Sequence, residues 1–313
     1  MTERSGHAPA SQRRGDCADH VPVIKGTAAG RAGIPHFTDV IELARIRACL
    51  AGGGSVLVGS FISGGPARLV DLRCIVAAAA IFMAVAAANV VNDIVDLPAD
   101  AASGRSRPLS SGRISVRAGR AAAIALATGA LLAAFVPGAA AGLEMAVLLT
   151  LAIAYSYVFK GTVLLGTVVV ACCASFPVIY GGAIAGHVTS AIWAAAALSF
   201  LFIISYETLK TLRDREADSA AGLRTLATSA MPDSSVWLFL SCAVLLGAVA
   251  IAASVVSTMA MLYLISILPL LVLLTAATAP FVRKPPSDGA IQRSLHLLRM
   301  AWLVGLIDML LLR

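Results

Sequence analysis

The sequence predicts an all-α polytopic membrane protein, a bundle of nine transmembrane helices. Three observations lead there. Of 313 residues, 59% are hydrophobic and only 13% charged, about half the charge of an ordinary soluble domain. Apolar runs of about 18 to 25 residues, each long enough to cross a bilayer, fall near 44–65, 72–95, 117–136, 139–159, 162–186, 189–209, 235–255, 257–281 and 293–312. With the N-terminus in the cytoplasm, 21 of the 24 lysines and arginines fall on that side, and only Arg68, Arg73 and Arg313 on the other. This is the positive-inside bias, and a miscounted span would scramble it. The formal charge of +7 therefore reads as topology and contact with anionic lipid, not as nucleic-acid binding.

Residues 1–36 are polar and lack the apolar core of a secretory signal, while Glu3, Asp16 and Asp19 argue against a transit peptide. A disordered cytoplasmic tail is expected there, with 37–313 forming the membrane domain. The expected setting is a bacterial plasma membrane, with the N-terminus and the polar loops cytoplasmic. The first helix begins around Phe37 and carries Glu42, Arg45 and Arg47 near its cytoplasmic end. Snorkelling of the two arginines and a ligand role both remain open. The small residues Ala51 to Ser55 that follow permit close helix contact.

The second span runs into the most informative stretch, Asn92-Asp93-Ile94-Val95-Asp96-Leu97-Pro98-Ala99-Asp100. Helical spacing puts Asp93, Asp96 and Asp100 at i, i+3 and i+7, with Asn92 in the same stripe. A charged side chain costs about 2.5 to 3.5 kcal/mol at the bilayer centre and less towards the interface, so a stripe of carboxylates calls for a cation. A solvated helix end is the plainer alternative. Arg105, Arg107 and Arg113 follow; they suit phosphate oxygens beside a carboxylate-bound metal, or serve as topology markers.

Pro137-Gly138 separates the third and fourth spans. The fourth ends in Tyr155, Tyr157 and Lys160, which could donate to a phosphate or form an interfacial belt. Pro177 and Gly181-Gly182 suggest a kink in the fifth span, where Cys172-Cys173 reads as small apolar packing. The sixth span, carrying Phe200 and Phe202, delivers a second polar stripe: Glu207, Asp214 and Asp218 share a face at i, i+7 and i+11, with Lys210 four before Asp214 and Thr211 alongside. Both stripes follow even-numbered spans and so emerge on one side of the membrane. The last three spans hold little charge beyond Arg293, Arg299 and Asp308 and read as structural. The six cysteines form no metal or disulfide spacing.

Two acidic faces with basic residues between them, above an apolar bundle, suit an amphiphile with a polyphosphate head and a hydrocarbon tail. Magnesium prefers carboxylate and phosphate oxygens and would bridge them. Metal and basic side chains would neutralise a departing diphosphate, and π-faces would stabilise an allylic cation kept from water.

The run from Asn92 to Asp100, ending in Arg107-Pro108-Leu109-Ser110-Ser111-Gly112-Arg113, resembles the NDxxDxxxD and RPLPSGR motifs of the UbiA superfamily of intramembrane prenyltransferases. The resemblance continues through Tyr155-Ser156-Tyr157, Lys160, Leu165-Gly166 and Lys210 to Asp218. It covers roughly 40 to 230 and is most like the geranylgeranylglyceryl phosphate synthase branch. It implies Asn92, Asp96 and Asp100 as ligands of a magnesium on the prenyl diphosphate, and Asp214 and Asp218 as ligands of a second. Arg45, Arg107, Lys160 and Lys210 would hold the diphosphate, with Tyr155 beside the departing head. Asp96, Asp214, Lys160 and Tyr155 are thus the expected catalytic set. Four positions depart from the pattern: Ile46 after Arg45, Ala48, Leu109-Ser110 without the loop's second proline, and Thr211 in place of an aspartate, with Glu207 one turn earlier. The resemblance places Ala48 and Thr211 where donor and acceptor would meet.

The expected activity is magnesium-dependent transfer of an isoprenyl group from a prenyl diphosphate to an acceptor the sequence does not name. The alternatives are a terpene cyclase on the same scaffold, a cation-coupled transporter, and a lipid-binding scaffold without turnover. Two stripes at one membrane face, with no inverted repeat, weigh against transport. No obligate protein partner and no nucleic acid are indicated.

Overall fold

The computed structural model describes residues 36–102, 104–220, 222, 224–229, 233–282 and 287–313. The expected disordered tail therefore lies, except for His36, outside the described residues. Thirteen α-helices and no strand occur among them: α1 (Phe37–Ala44), α2 (Ile46–Gly64), α3 (Leu72–Val95), α4 (Leu97–Ala102), α5 (Val116–Ala134), α6 (Ala139–Ala154), α7 (Leu165–Ala185), α8 (Ser190–Arg213), α9 (Arg215–Ala220), α10 (Asp233–Ala252), α11 (Ala260–Ser266), α12 (Leu268–Thr278) and α13 (Asp288–Met309). Nine stretches among the described residues are long and apolar enough to cross a membrane, and their bounds match the nine expected spans within a few residues. The chain is an integral membrane protein.

The helix starts follow from local chemistry. Asp71, Ser115, Thr189 and Ser287 each accept a hydrogen bond from a backbone N–H of the first turn of α3, α5, α8 and α13. Gly138 sits at φ 153 between α5 and α6, a conformation that a side chain opposes, so Pro137-Gly138 splits the spans as expected. Pro269 stands at the start of α12, where the eighth span divides into α11 and α12. By contrast α7 runs unbroken through Pro177.

At the centre α2 packs on α3 and α7, α3 on α5, and α7 on α8; α8 in turn meets α10 and α13, and α13 meets α12. Lipid tails are as apolar as leucine, so these helices associate through close packing of small residues. Accordingly α3 buries Ala77, Ala78, Ala80, Ala84, Ala86 and Ala87. One apolar cluster joins α2, α3, α5, α6 and α7; a larger one joins α8 to α10–α13. The last three spans thus close the bundle, as their composition suggested, with one exception at Asp308.

Candidate active site

α3 ends within the acidic stripe because Pro98 has no N–H to give Ile94 and its ring crowds that carbonyl. So α3 stops at Val95, Asp96 caps it with its N–H on Asn92 O at 2.9 Å, and the short α4 begins. Asp93 and Asp100 are 3% and 4% exposed. One guanidinium spans the stripe: Arg107 reaches Asp93 Oδ1 at 2.7 Å, Asp96 Oδ2 at 3.7 Å and Asp100 Oδ2 at 3.3 Å. The three carboxylates therefore share a face despite the break at Asp96.

The loop after α4 is built to hold Arg107. Its backbone N–H donates to Ser110 Oγ at 2.9 Å, Ser110 Oγ donates to Arg105 O, and Ser111 binds Arg107 O through both its N–H and its hydroxyl. Gly112 closes the turn at φ 74, a left-handed conformation that favours glycine. Lysine cannot replace a planar fork that meets several carboxylates at once. Arg107→Ala leaves Asp93 and Asp100 buried with fewer partners. It is expected to destabilise the protein by about 3 kcal/mol, read as a fall in thermal midpoint in detergent, and Arg107→Lys should restore only part of that loss.

Arg45 stands at a break in the first helix that the sequence does not announce. It interrupts the first helix, as the only non-glycine residue among those described with positive φ (53°), and so separates α1 from α2. Its Nη2 lies 2.6 Å from Asp93 Oδ1, and Asn89 Nδ2 donates to Ala44 O next door at 3.0 Å. Asp93, placed on the stripe without a role, is thus the buried anchor of Arg45 and Arg107. Asn89 lies one turn before the motif, and Asp93 lies within it, with nothing in the spacing to set it apart from its neighbours. Arg113 straps α1 down from the other side by pairing with Asp39 and with Glu42, the latter at 3.0 Å. Arg113→Ala is expected to speed tryptic cleavage at Arg45 and Arg47 several-fold without disturbing the spans.

Lys160 enters through an unexpected element. The end of the fourth span winds into a π turn, Tyr155–Phe159, closed by Lys160 N–H on Tyr155 O at 2.9 Å; such turns recur at functional sites. Lys160 Nζ bonds Asp96 Oδ1 and lies 3.3 Å from Asn92 Oδ1, while Asn92 Nδ2 donates to Asp96 Oδ2 at 3.1 Å. Half-buried Tyr155 stands within electrostatic reach of Asp96, Glu207, Asp218 and Arg45.

The second stripe meets the first here. α8 ends at Arg213 and α9 begins at Arg215, with the N–H groups of Asp214 and Asp218 bonded four residues back to Lys210 O and Asp214 O. Lys210 pairs with Glu207 at 2.8 Å, although the Asp214 N–H still bonds Lys210 O at 3.0 Å, because Arg213 takes the Asp214 carboxylate. Asp214 is held by Arg213 at 2.7 and 2.9 Å and approached by Arg105 at 3.8 Å. Thr211 Oγ1 donates back to Thr208 O at 2.8 Å. Arg105 therefore bridges from the first stripe's loop to Asp214, and Asp218 feels Lys160, Lys210 and Arg105. Burial pushes the Asp214 carboxyl up, but the Arg213 bond and the surrounding cations outweigh it and hold it below the ordinary range. Burial, reinforced by the Asp214 charge, pushes Asp218 up, and burial raises Asp100 despite Arg107. As pH falls, Asp218 and Asp100 take protons before Asp214.

Among the described residues no group of three or more His, Cys, Asp or Glu side chains gathers in a metal-binding arrangement. Arg107 and Lys160 lie on the carboxylate oxygens that a cation would share. The donor set itself, four carboxylates and an amide oxygen, is the hard-oxygen set that magnesium takes, and such an ion keeps further positions for phosphate oxygens.

The chain matches the UbiA prenyltransferase family over residues 54–302. It is 32% identical over 188 residues to the digeranylgeranylglyceryl phosphate synthase of Natronomonas pharaonis, covering 60% of this chain and 67% of that one. It is 36% identical over 190 residues to the synthase of the same name from Methanopyrus kandleri, covering 59% and 67%. Its fold is similar to a UbiA homologue from Aeropyrum pernix K1, with a TM-score of 0.70, 19% identity, and 84% and 97% of the two chains covered. It is also similar to a UbiA homologue from Archaeoglobus fulgidus bound to DMAPP and Mg2+, with a TM-score of 0.65, 17% identity, and 87% and 99% covered.

Proposed function

Since the chain belongs to the UbiA prenyltransferase family, we propose that the basin formed by the two acidic stripes binds the diphosphate of a prenyl donor with magnesium and releases its isoprenyl group to a lipid acceptor. One observation carries this reading. Lys160 is paired with Asp96 and within electrostatic reach of Asp218, so a single cation serves both stripes at one end of the bundle. Transport between membrane faces has no use for such a closed arrangement.

Asn92, Asp96 and Asp100 on one side, and Asp214 and Asp218 on the other, would hold magnesium. When bound, the metal neutralises charge on the diphosphate. Arg45, Arg107, Lys160 and Lys210 bind its oxygens, for which their N–H groups are as well suited as for the carboxylates they hold here. The bond between the prenyl C1 and the diphosphate oxygen breaks, the electron pair leaves with the diphosphate, and Tyr155 and Lys160 hydrogen-bond the departing oxygens. The acceptor oxygen then bonds C1 and its proton passes to the released diphosphate. The relatives' name points to a glyceryl phosphate as acceptor.

The test is purified protein in nanodiscs with magnesium, prenyl diphosphates from dimethylallyl to geranylgeranyl, and a geranylgeranylglyceryl phosphate acceptor. Diphosphate release abolished by EDTA and an ether product by mass spectrometry are expected. No release with any donor overturns the reading, and a cyclic hydrocarbon from donor alone replaces it with a cyclase. The proposed setting is a bacterial plasma membrane with this basin cytoplasmic. In a cysteine-free background, an impermeant thiol reagent on intact cells should label a cysteine at Val188 and spare one at Ser219; the reverse pattern refutes that orientation.

A further inference from the structure

The outer face of α13 carries charge deeper into the membrane than a helix end requires. α13 begins on the basin's side, because the nine spans among the described residues alternate sides and Arg299 meets Tyr206 near the basin end of α8. Arg293, His296, Arg299, Leu303 and Ile307 follow one another at steps of three or four residues and are all exposed, so they share one face turned away from the bundle. Opposite them Leu295, Leu298 and Ala301 are fully buried. From the basin's side inward, the outer face is cationic first and apolar after. A phospholipid has the same order, head and then chain.

Arg299 stands eleven residues after Asp288, the first residue of α13, about 16 Å along the axis. A cation at that depth is costly unless it is paired or its head reaches the interface. No ion pair among the described residues includes Arg299 or Arg293. Instead Arg299 Nε donates to Tyr206 Oη at 3.3 Å, and the Tyr206 ring stacks on Phe202 with centroids 6.3 Å apart. Arg293 is held in the same way, with Nε donating to Gly289 O at 3.3 Å. Each guanidinium is thus fixed by its inner nitrogen, while its two terminal nitrogens have no partner among the described residues. Those nitrogens make a fork that fits phosphate oxygens. The two arginines are six residues apart, about 9 Å along the axis, a gap that two such long side chains close from either side with His296 between them.

We propose that this face of α13 binds one anionic phospholipid from the basin-side leaflet. Its phosphate sits between Arg293 and Arg299, and one acyl chain runs along Leu303 and Ile307. The charge selects an anionic lipid over a zwitterionic one: two guanidiniums without carboxylates attract the phosphate, whereas an ammonium in the head group is repelled by them. The lipid lies on the outside of the bundle and takes no part in prenyl transfer, so the reading of the basin does not depend on it.

Native mass spectrometry of the purified protein in detergent, titrated with phosphatidylglycerol or with phosphatidylcholine of the same chains, tests this. The wild type is expected to retain one phosphatidylglycerol and to bind phosphatidylcholine several-fold more weakly. Arg299→Ala should weaken the phosphatidylglycerol complex about tenfold, and Arg293→Ala should weaken it several-fold. Arg117→Ala, which removes an exposed arginine from α5, should leave it unchanged. All three side chains are exposed, so the variants should share the wild-type thermal midpoint before lipid is added. Equal retention of the two lipids by the wild type overturns the proposal, and so do equal losses from Arg299→Ala and Arg117→Ala. A lipid-free dimer that Arg299→Ala splits into monomers also overturns it, and assigns the face to a second copy of the chain.

Discussion

Asp96→Ala is expected to lower diphosphate release by about 10³-fold or more while leaving the nine spans folded. Asp96 is touched from three directions: Lys160 on Oδ1, and Asn92 and Arg107 on the side of Oδ2. Its side chain is 14% exposed, so it is open to a ligand in a way that Asp93 is not. Its removal frees Lys160 and takes the shared oxygen from the stripe in one step. Asp96→Asn keeps the shape but turns an amide towards the Lys160 ammonium or the Arg107 guanidinium, and should lose nearly as much. The comparison variant is Asp93→Asn. Asp93 anchors Arg45 and Arg107 beneath the basin, so that variant should lower the thermal midpoint and weaken donor binding, with a smaller loss at saturating magnesium and donor. Should Asp96→Ala retain a third of the wild-type rate, the basin is not the site of ionisation.

The two stripes were legible because helical arithmetic within a turn or two survives a break: Arg107 still spans Asp93, Asp96 and Asp100. The backbone bonds keep the same spacing across Asp214, but spacing does not choose partners: Arg213 takes Asp214 and Lys210 turns to Glu207. Span count and bounds followed from hydropathy and charge bias, which depend on the bilayer and not on packing. What the sequence concealed depends on backbone conformations that no residue type demands. The left-handed Arg45, which divides the first helix, and the π turn that aims Lys160 are both occupied by residues that would serve equally in an unbroken helix. Asp308 shows the opposite failure: a single acid in an apolar span looks incidental, yet its Oδ2 is buried with no hydrogen-bond partner among the described residues.

Gly59→Ala and Gly181→Ala are each expected to impair folding, although neither residue nears the basin. A Cβ on Gly59 would stand 2.0 Å from Val178 O, and one on Gly181 would stand 2.0 Å from Val56 O. Both obstacles are helix backbone, which cannot rotate aside as a side chain would. The contacts are reciprocal, so α2 and α7 are drawn together at two points, and Ser60 Oγ bridges between them, 2.9 Å from Val56 O and 3.1 Å from Gly181 O. Without hydrophobic drive between helices in lipid, such close backbone approach is what holds the seam. Separating it loosens α2 from its partners in both apolar clusters. A cost of about 1–3 kcal/mol is usual for overpacking that side chains can absorb, and a backbone clash should exceed it. The measurable result is a loss of monodisperse protein in detergent, or a fall of several degrees in thermal midpoint. Gly54→Ala is the control on the same helix: no atom lies within 4 Å of its added Cβ, and alanine is the better helix former, so that variant should match or exceed wild-type stability. Equal midpoints for Gly54→Ala and Gly59→Ala would mean that α2 and α7 do not meet at the distance described.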